Sequence, residues 1–313
     1  MIPGKDFLTL LDFSADEILY LIDLSIRFKH NKVDAKRLIG IHNKAAALIF
    51  EKPSTRTRIS LEVACHQLGL SPLYIETKTT QLARGEPLED FARVLDRYVD
   101  IIAARVYSHK TLEILARYAR APVINALSDM YHPLQALADF MTIKEKFGDL
   151  SEIKIAFIGD TDNNVAHSLT IGAVKLGLEI RLVGPREYWP KKEFLDVVNK
   201  VAERTEAKIA ITDNPAEGLR DANVIYTDVW VSMGQEEERK KRLKVFRPYQ
   251  VNFDLVKTAS QDFIFMHCLP RHRGEEVSDD LFESKHSVVF DQAENRLHTA
   301  KAVFAAILLE EKL

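Results

Sequence analysis

The sequence predicts an α/β protein of two doubly wound domains, each a parallel sheet flanked by helices. Apolar runs of strand length alternate with amphipathic segments of helical spacing along the chain, which is the pattern of βαβ units. The length of 313 residues suggests about two domains. The alternation also begins a second round at Ile153, directly after a polar stretch that starts at Gly148.

The elements of the first half follow from apolar spacing and from residues that start or stop a helix. Ser14 to Glu17 has capping-box spacing before an apolar helical stripe. Strands are predicted at Ala46–Phe50, Leu73–Ile75, Ile101–Val106 and Pro122–Ala126. Helices are predicted from Ser54 to Leu68, from Pro87 (at position N1) to Tyr98, from Thr111 to Tyr118 and from His132 to Phe147.

The second half repeats the alternation. Strands are predicted at Ile153–Asp160, Glu179–Gly184, Lys208–Thr212, Val224–Trp230, Phe263–Cys268 and Val288–Asp291. Helices are predicted from Asn164 to about Leu176, from Lys191 to Thr205 and from about Glu294 to Glu310. The charge run from Glu236 to Lys244 is typical of a solvated helix face or a mobile loop.

Composition excludes several classes of protein. A net charge of −3 and a pI near 6.4 argue against nucleic acid as the main partner. No apolar run approaches the roughly 20 residues of a membrane span, and the N-terminus lacks a signal-peptide core. The two cysteines, Cys65 and Cys268, are too far apart in sequence to form a disulfide framework or a metal knuckle. A cytoplasmic enzyme with no membrane partner is the expectation.

The stretch after the first predicted strand has the composition of an anion site. Pro53 stops the strand, and Ser54-Thr55-Arg56-Thr57-Arg58 opens the following helix. Backbone N–H groups without intrahelical partners, the positive end of the helix dipole, hydroxyls and guanidiniums all favour a phosphate there. The alternative is that Ser54 only caps the helix and that the arginines are solvated.

Polar residues recur where predicted strands end. In open α/β sheets, ligands bind beyond the carboxyl ends of the strands, so the repetition predicts a cleft between two domains for an anionic ligand and a second molecule. The residues are Ser54 to Thr57, Arg105, His132, Gln135, Asn164, Asp228, His267 and Cys268. Each has a structural alternative: Arg105 in an ion pair, His132 at a helix start, Asn164 as an N-cap and Cys268 as a buried thiol. Cys65 is interpreted as core.

Several familiar motifs are missing. Gly159-Asp160 follows a strand, but the G-x-G-x-x-G fingerprint of dinucleotide sites is absent. The sequence has no Walker A run and no His, Cys and carboxylate cluster at metal-ligand spacing. The sequence therefore has no motif for a dinucleotide, a P-loop nucleotide or a clustered metal site.

Taken together, the motifs resemble the aspartate/ornithine transcarbamoylase family over almost the whole chain. Ser54-Thr55-Arg56-Thr57-Arg58 and His132-Pro133-Leu134-Gln135 are typical of the family in general. Two further motifs resemble those of the ornithine-specific members of the family. They are Asp228-Val229-Trp230-Val231-Ser232-Met233-Gly234 and His267-Cys268-Leu269-Pro270 continuing to Val277. The resemblance implies domains at 1–148 with helix 294–313, for carbamoyl phosphate, and at 149–293, for ornithine.

The implied reaction is carbamoyl transfer from carbamoyl phosphate to the δ-amine of L-ornithine, which gives L-citrulline and phosphate in arginine biosynthesis. The resemblance implies direct amine attack through a tetrahedral intermediate, with no metal and no organic cofactor. The implied catalytic residues are Arg56, Arg105, His132 and Cys268. Carbamoyl phosphate would be bound by Ser54, Thr55, Arg56, Thr57, Gln81, Arg105, His132, Gln135, Cys268, Leu269 and Arg296. Ornithine would be bound by Asn164, Asp228, Ser232 and Met233.

The family's shared glutamine is matched by Gln81, which implies a homotrimer with shared sites, or an assembly of such trimers. Some choices stay open, because Asn163 competes with Asn164 for ornithine, and because Cys268 or the phosphate can accept the proton of the δ-amine. Leu134, Arg271 and Ala83 depart from the common family pattern. The alternatives to the implied function are a transcarbamoylase for another amine or amino acid and a non-catalytic phosphate-binding homologue.

Overall fold

The computed structural model describes residues 2–231 and 236–309. The chain divides into two compact units, Met1–Met141 with Glu294–Leu313, and Thr142–Ala293. Each unit contains one all-parallel sheet with helices between successive strands. The predicted α/β fold class is confirmed, whereas the interdomain cleft stays a prediction.

The sheet of the first unit has four strands in the order β2-β1-β3-β4. They are β1 (Ala45–Phe50), β2 (Ser71–Glu76), β3 (Ile101–Arg105) and β4 (Val123–Leu127). Helices α2 (Thr55–Leu68), α3 (Leu88–Leu95) and α4 (His109–Tyr118) connect these strands, α1 (Ala15–Lys29) precedes them, and α5 (Pro133–Phe147) follows them and continues into the second unit from Thr142. The strand order reverses between β1 and β3, so the carboxyl ends of these two strands flank the crevice in which such sheets bind ligands.

The sheet of the second unit has five strands in the order β7-β6-β5-β8-β9. They are β5 (Lys154–Ile158), β6 (Glu179–Val183), β7 (Lys208–Thr212), β8 (Val224–Thr227) and β9 (Ile264–His267). The helices are α6 (Asn164–Lys175), α7 (Lys192–Thr205), α8 (Pro215–Gly218), α9 (Arg239–Phe246) and α10 (Asp279–Phe282), and α11 (Val289–Leu308) begins in this unit and continues into the first from Glu294. Here the order reverses between β5 and β8.

Local chemistry explains where the key helices begin and end. Ser14 and Glu17 form the predicted capping box of α1. Ser54 caps α2, and Gly69 ends it in the left-handed conformation at φ 80°. A Cβ at position 69 would lie 2.5 Å from the His42 ring. Glycine at this position therefore satisfies both the backbone angle and the packing.

Three local predictions were wrong, and a fourth was correct except at one residue. The run Val288–Asp291 is not a strand, because Val289 already begins α11 and Gln292 N–H donates to Val288 O in a helical bond. Pro87 takes the N-cap position of α3 and not N1. The strand predicted to reach Trp230 ends at Thr227. The charge run is helical over Arg239–Lys244, within α9, and most of its described side chains are exposed, so a solvated helix face is confirmed except at Arg242, which is buried.

Among the described residues, no helix combines the length and the apolar character needed to cross a membrane.

Candidate active site

The N-terminus of α2 has a preorganised turn at the carboxyl end of β1. Ser54 Oγ accepts from the Thr57 backbone N–H at 3.3 Å and lies 3.1 Å from Thr57 Oγ1. Thr57 is buried, whereas Thr55 and Arg56 are exposed. Arg58 turns away to Glu62, with Nε 2.9 Å from Oε1, and stacks over the Tyr74 ring. The two arginines of the motif therefore have different environments, and Arg56 is the one available to a ligand.

Two cations stand beside this turn. Arg105 ends β3, is buried, and lies opposite Phe50 in the register of β1 and β3. The Lys52 Nζ lies 5.0 Å from the centroid of the Tyr107 ring. Burial and the charge of Arg105 lower the pKa of Lys52. Lys52 was not predicted as a site residue, although its place between the first strand and Pro53 was a signal.

A buried hydrogen-bonded group connects α5 with α11. Arg296 Nη1 lies 3.1 Å from His132 Nε2 and 2.6 Å from Gln135 Oε1. Gln135 Nε2 donates to Asp139 Oδ1 at 2.8 Å. An arginine N–H can only donate, so His132 Nε2 accepts, and the proton of the neutral ring is on Nδ1. Arg296 therefore selects the tautomer of His132.

His132 is also held in its neutral form. Its pKa lies well below the ordinary value, first because the ring is buried and then because of nearby positive charges. In decreasing order of effect these are Arg296, Arg105, Lys52 and Arg56. The structure thus brings the predicted Arg56, Arg105, His132, Gln135 and Arg296 together. Such a set of cations and N–H donors suits a small dianion.

Gln81 is exposed on the short 3₁₀ helix Gln81–Arg84. A cavity of about 400 Å³ opens nearby, and its lining includes Thr77, Lys78 and Leu82 together with Glu51 and Tyr107. Glu51 accepts from the Tyr107 backbone N–H at 2.6 Å. The cavity therefore lies next to the residues around Lys52. It is a neighbour of the anion site and is not the anion site itself. The predicted sharing of Gln81 with a neighbouring subunit stays a prediction.

In the second unit, the turn after β5 distinguishes two neighbouring asparagines. Asn163 Oδ1 accepts from the backbone N–H groups of Val165 and Ala166, both at 2.8 Å. Its Nδ2 donates to Asp160 O at 2.9 Å. Asn163 is thus the N-cap of α6, and its side-chain oxygen and one amide N–H are used within this turn. Asn164 is the first residue of the helix, and its predicted contact with ornithine stays a prediction.

Asp228 and Cys268 meet at the ends of neighbouring strands. Asp228 follows β8, Cys268 follows β9, and Cys268 Sγ lies 3.1 Å from Asp228 Oδ1. The same oxygen accepts from the Val229 backbone N–H at 2.8 Å. Cys268 is partly exposed, whereas the buried Cys65 has a pKa raised to about 12 by desolvation. The two thiols therefore differ as predicted, with Cys65 in the core.

The segment after β9 is held by a buried pair, His267 and Glu276. The His267 Nδ1 accepts from the Leu269 backbone N–H at 2.8 Å, so its proton is on Nε2, which lies 3.1 Å from Glu276 Oε1. Glu276 Oε1 also accepts from the His272 backbone N–H at 2.7 Å. Leu269 has a left-handed backbone, with φ at 59°. Glu276, which had no predicted role, therefore supports the conformation of the segment that follows Cys268.

Two departures from the family pattern have structural contacts of their own. Leu134 is buried in α5. Arg271 pairs with Asp279 and stacks over the Phe282 ring, 3.8 Å from its centroid. Both side chains are therefore explained by packing. Ser232 and Met233, the other predicted ornithine contacts, lie outside the described residues.

Two groups of potential metal ligands exist among the described residues, although the sequence spacing indicated none. Their ligand atoms lie within 4.8 Å of one another, in one group from Asp228, His267 and Cys268 and in the other from His272, Glu275 and Glu276. The first arises because β8 and β9 are neighbours in the sheet but distant in sequence. Both ring nitrogens of His267 are already hydrogen-bonded. The first group is thus a hydrogen-bonded network.

Comparison with known proteins identifies the family. Residues 5–145 match the carbamoyl-P binding domain of aspartate/ornithine carbamoyltransferase, and residues 151–307 match the Asp/Orn binding domain. The chain is 50% identical over 308 residues to the ornithine carbamoyltransferase of Ignicoccus hospitalis, covering 98% of this chain and 99% of that protein. It is 50% identical over 307 residues to the protein from Pyrococcus furiosus named "Ornithine carbamoyltransferase, anabolic", covering 98% and 97%.

Solved structures agree with this result. The ornithine carbamoyltransferase of Pyrococcus furiosus superposes with a TM-score of 0.93 at 50% identity and covers 99% of both chains. The anabolic enzyme of Campylobacter jejuni gives a TM-score of 0.90 at 43% identity and covers 96% of this chain and 97% of its own. The chain belongs to the aspartate/ornithine carbamoyltransferase family, and the predicted resemblance is confirmed.

Glu276→Ala tests the support of the segment after β9. The substitution leaves the buried His267 N–H without its acceptor, which costs about 1–3 kcal/mol. We expect the free energy of unfolding in urea to fall by that amount and the Cys268 thiol to react faster with a disulfide reagent. Glu276→Gln keeps an acceptor and loses less. The control, Glu283→Ala, removes an exposed partner of Arg271 and costs about 0–1 kcal/mol. Wild-type stability in Glu276→Ala would contradict the role.

The neutral state of His132 predicts how stability depends on pH. Its folded-state pKa lies well below the ordinary 6.5, so below about pH 6.5 the unfolded chain binds a proton that the folded protein does not. The contribution of the neutral His132 to the free energy of unfolding is therefore complete above about pH 6.5. It is lost as the pH falls toward the folded-state pKa of His132. Urea unfolding from pH 7.5 to 5 is expected to show a steeper decline for wild type than for His132→Asn. His66→Asn, at an exposed site, serves as the control, and parallel curves for wild type and His132→Asn would disprove the assignment.

Proposed function

We propose that the protein catalyses carbamoyl transfer from carbamoyl phosphate to the δ-amine of L-ornithine, giving L-citrulline and phosphate. The observation that carries the proposal is the contact of Arg296 with both His132 and Gln135, within a set of cations that includes Arg56 and Arg105. This arrangement suits a dianion that also has a carbonyl group. The first unit would bind carbamoyl phosphate and the second ornithine, in agreement with the two domains of the family.

The phosphate end would be held at the start of α2. Ser54, Thr55 and Thr57 supply hydroxyl groups and backbone N–H groups at a helix N-terminus, and Arg56 supplies charge. The phosphate leaves with the electron pair of its bond to the carbamoyl carbon. The same donors stabilise the charge that develops on it, so they act on the leaving group as well as on the bound substrate.

The carbonyl oxygen would be stabilised by Arg105, His132 and Thr57. It gains negative charge when the amine adds, and loss of one such donor typically costs about 3–4 kcal/mol in activation free energy. A neutral His132 keeps an N–H at Nδ1 for this purpose, and Gln135 is held by Arg296 and Asp139 at the carbamoyl end. Cys268 and Leu269 would border the carbamoyl group from the other substrate's side.

Ornithine would be oriented by Asp228, which attracts the α-ammonium, together with Asn164, Ser232 and Met233. The neutral δ-amine forms the new C–N bond and gives up one proton, while the C–O bond to phosphate breaks. Cys268 or the departing phosphate accepts the proton. No resident metal or organic cofactor is part of this reaction scheme, since every charge that develops meets a side chain or a helix terminus.

The assembly would be a homotrimer in which Gln81 completes the site of a neighbouring subunit. Exposed apolar side chains on the first unit support an interface, among them Ile59, Leu73, Val94 and Tyr98. We place the reaction in arginine biosynthesis, since the relative from Pyrococcus furiosus is named anabolic.

A citrulline assay with carbamoyl phosphate and ornithine tests the function. Wild type is expected to form citrulline, and Arg56→Ala to lower kcat/KM by about a hundredfold or more. Arg58→Ala is the matched control, because Arg58 contacts Glu62 and Tyr74; we expect a change of a few-fold at most. If wild type makes no citrulline but carbamoylates putrescine or aspartate, a transcarbamoylase of other specificity is the answer. If all amines fail, the protein is a binding homologue.

Mixing two inactive variants tests the shared site. Gln81→Ala and Arg105→Ala are each expected to be inactive, but mixed trimers would contain some sites with neither change. Partial recovery of citrulline formation after the two proteins are dissociated and reassembled together is the expected result. Each variant reassembled alone is the control. A monomer in light scattering, or mixed trimers without recovery, would refute a shared site.

A further inference from the structure

The inference concerns Arg242 in α9, which lies in a run of charged residues between Glu236 and Lys244. Its side chain is only 3% exposed, although neighbours such as Lys240 and Lys241 are solvated. The guanidinium lies over the Tyr188 ring, 4.6 Å from its centroid, and 5.5 Å from that of Phe246. A buried arginine is costly unless each of its donors is used, so its contacts indicate what it is for.

One contact of Arg242 fixes the turn after β5. Its Nη2 pairs with Oδ2 of Asp160, which is itself buried. The other carboxylate oxygen, Oδ1, accepts from the Asp162 backbone N–H at 3.1 Å. Asp160 O accepts from Asn163 Nδ2 at 2.9 Å, and Asn163 caps α6. The ion pair is therefore connected by two hydrogen bonds to the position of Asn164.

A second contact fixes the segment after β8. Arg242 Nε donates to Trp230 O at 2.6 Å. Trp230 is buried and comes two residues after Asp228. The same guanidinium thus bridges the two segments of the second unit that present Asn164 and Asp228. The planar fork of arginine makes both bonds at once, which the single ammonium of a lysine cannot reproduce.

We propose that Arg242, through its bridge between Asp160 and Trp230 O, is a positioning residue that sets the spacing of Asn164 and Asp228 and so determines affinity for the amino-acid substrate. The inference rests on the proposed function, with ornithine as that substrate. Arg242 itself does not touch the ligand. Its loss would change recognition of ornithine and leave the binding of carbamoyl phosphate to the first unit intact.

Steady-state kinetics of Arg242→Gln and Arg242→Lys test this role. We expect KM for ornithine to rise at least tenfold in Arg242→Gln and less in Arg242→Lys, which keeps the charge opposite Asp160. KM for carbamoyl phosphate is expected to stay within about twofold in both. Binding of carbamoyl phosphate, measured by calorimetry without ornithine, is expected to match wild type and also shows that the variant is folded.

Arg181→Gln is the matched control for a purely structural effect. Arg181 is another largely buried arginine of the same unit, paired with Glu179 at 2.5 Å and bonded to Gly218 O. The Arg181→Gln substitution is expected to lower the melting temperature without changing KM for ornithine. A folded Arg242→Gln with wild-type KM for ornithine would overturn the proposal, as would an equal rise in Arg181→Gln. Failure of the proposed function is distinguished from failure of this inference by the wild-type protein, which would then form no citrulline.

Discussion

The first unit depends on one constraint: several positive groups share a small, largely buried volume at the ends of β1 and β3. Arg105 and Arg296 are both buried there, and Lys52 and Arg56 act on the same histidine. Like charges in such a place repel one another, and the protein limits the repulsion by leaving His132 uncharged and by shifting the pKa of Lys52 downward. A bound dianion relieves the remaining repulsion. The same crowding that disfavours the empty site therefore favours occupation by carbamoyl phosphate.

In the proposed reaction, the second unit has to orient ornithine, whose δ-amine is uncharged when it attacks. Its strand ends are joined by hydrogen bonds that use backbone groups: His267 Nδ1 accepts from Leu269, and Arg242 donates to Trp230 O. Backbone partners fix a loop more firmly than contacts between long side chains, because fewer rotatable bonds intervene. Asp228 and Cys268 are then presented from neighbouring strands at 3.1 Å. The second unit is thus characterised by side chains fixed in position through backbone hydrogen bonds, and the first by a cluster of positive charges.

Much of the fold was predictable because the alternation of strands and helices is local. The end of β1, the cap at Ser54 and the glycine end of α2 each depend on a few adjacent residues. The errors had non-local or ambiguous causes. Val288–Asp291 is an apolar run of strand length, and only its continuation into α11 makes it helical. Arg242 is indistinguishable by sequence from its exposed neighbours, since its partner Asp160 is 82 residues away. Asn163 and Asn164 differ only in which one caps α6.

The charge difference between the two units bears on how the δ-amine becomes reactive. Ornithine in water carries a protonated δ-ammonium, which cannot attack a carbonyl. In the proposed reaction this group must approach the carbamoyl carbon, and hence the cations that hold carbamoyl phosphate. Loss of water around an ammonium at that place would disfavour the charged form and lower its pKa. In the proposed binding mode Asp228 would pair with the α-ammonium, at the other end of the amino acid, and keep it charged. In the proposed reaction the same ligand would therefore be charged at one end and neutral at the other, and Cys268 or the departing phosphate would receive the proton of the δ-amine.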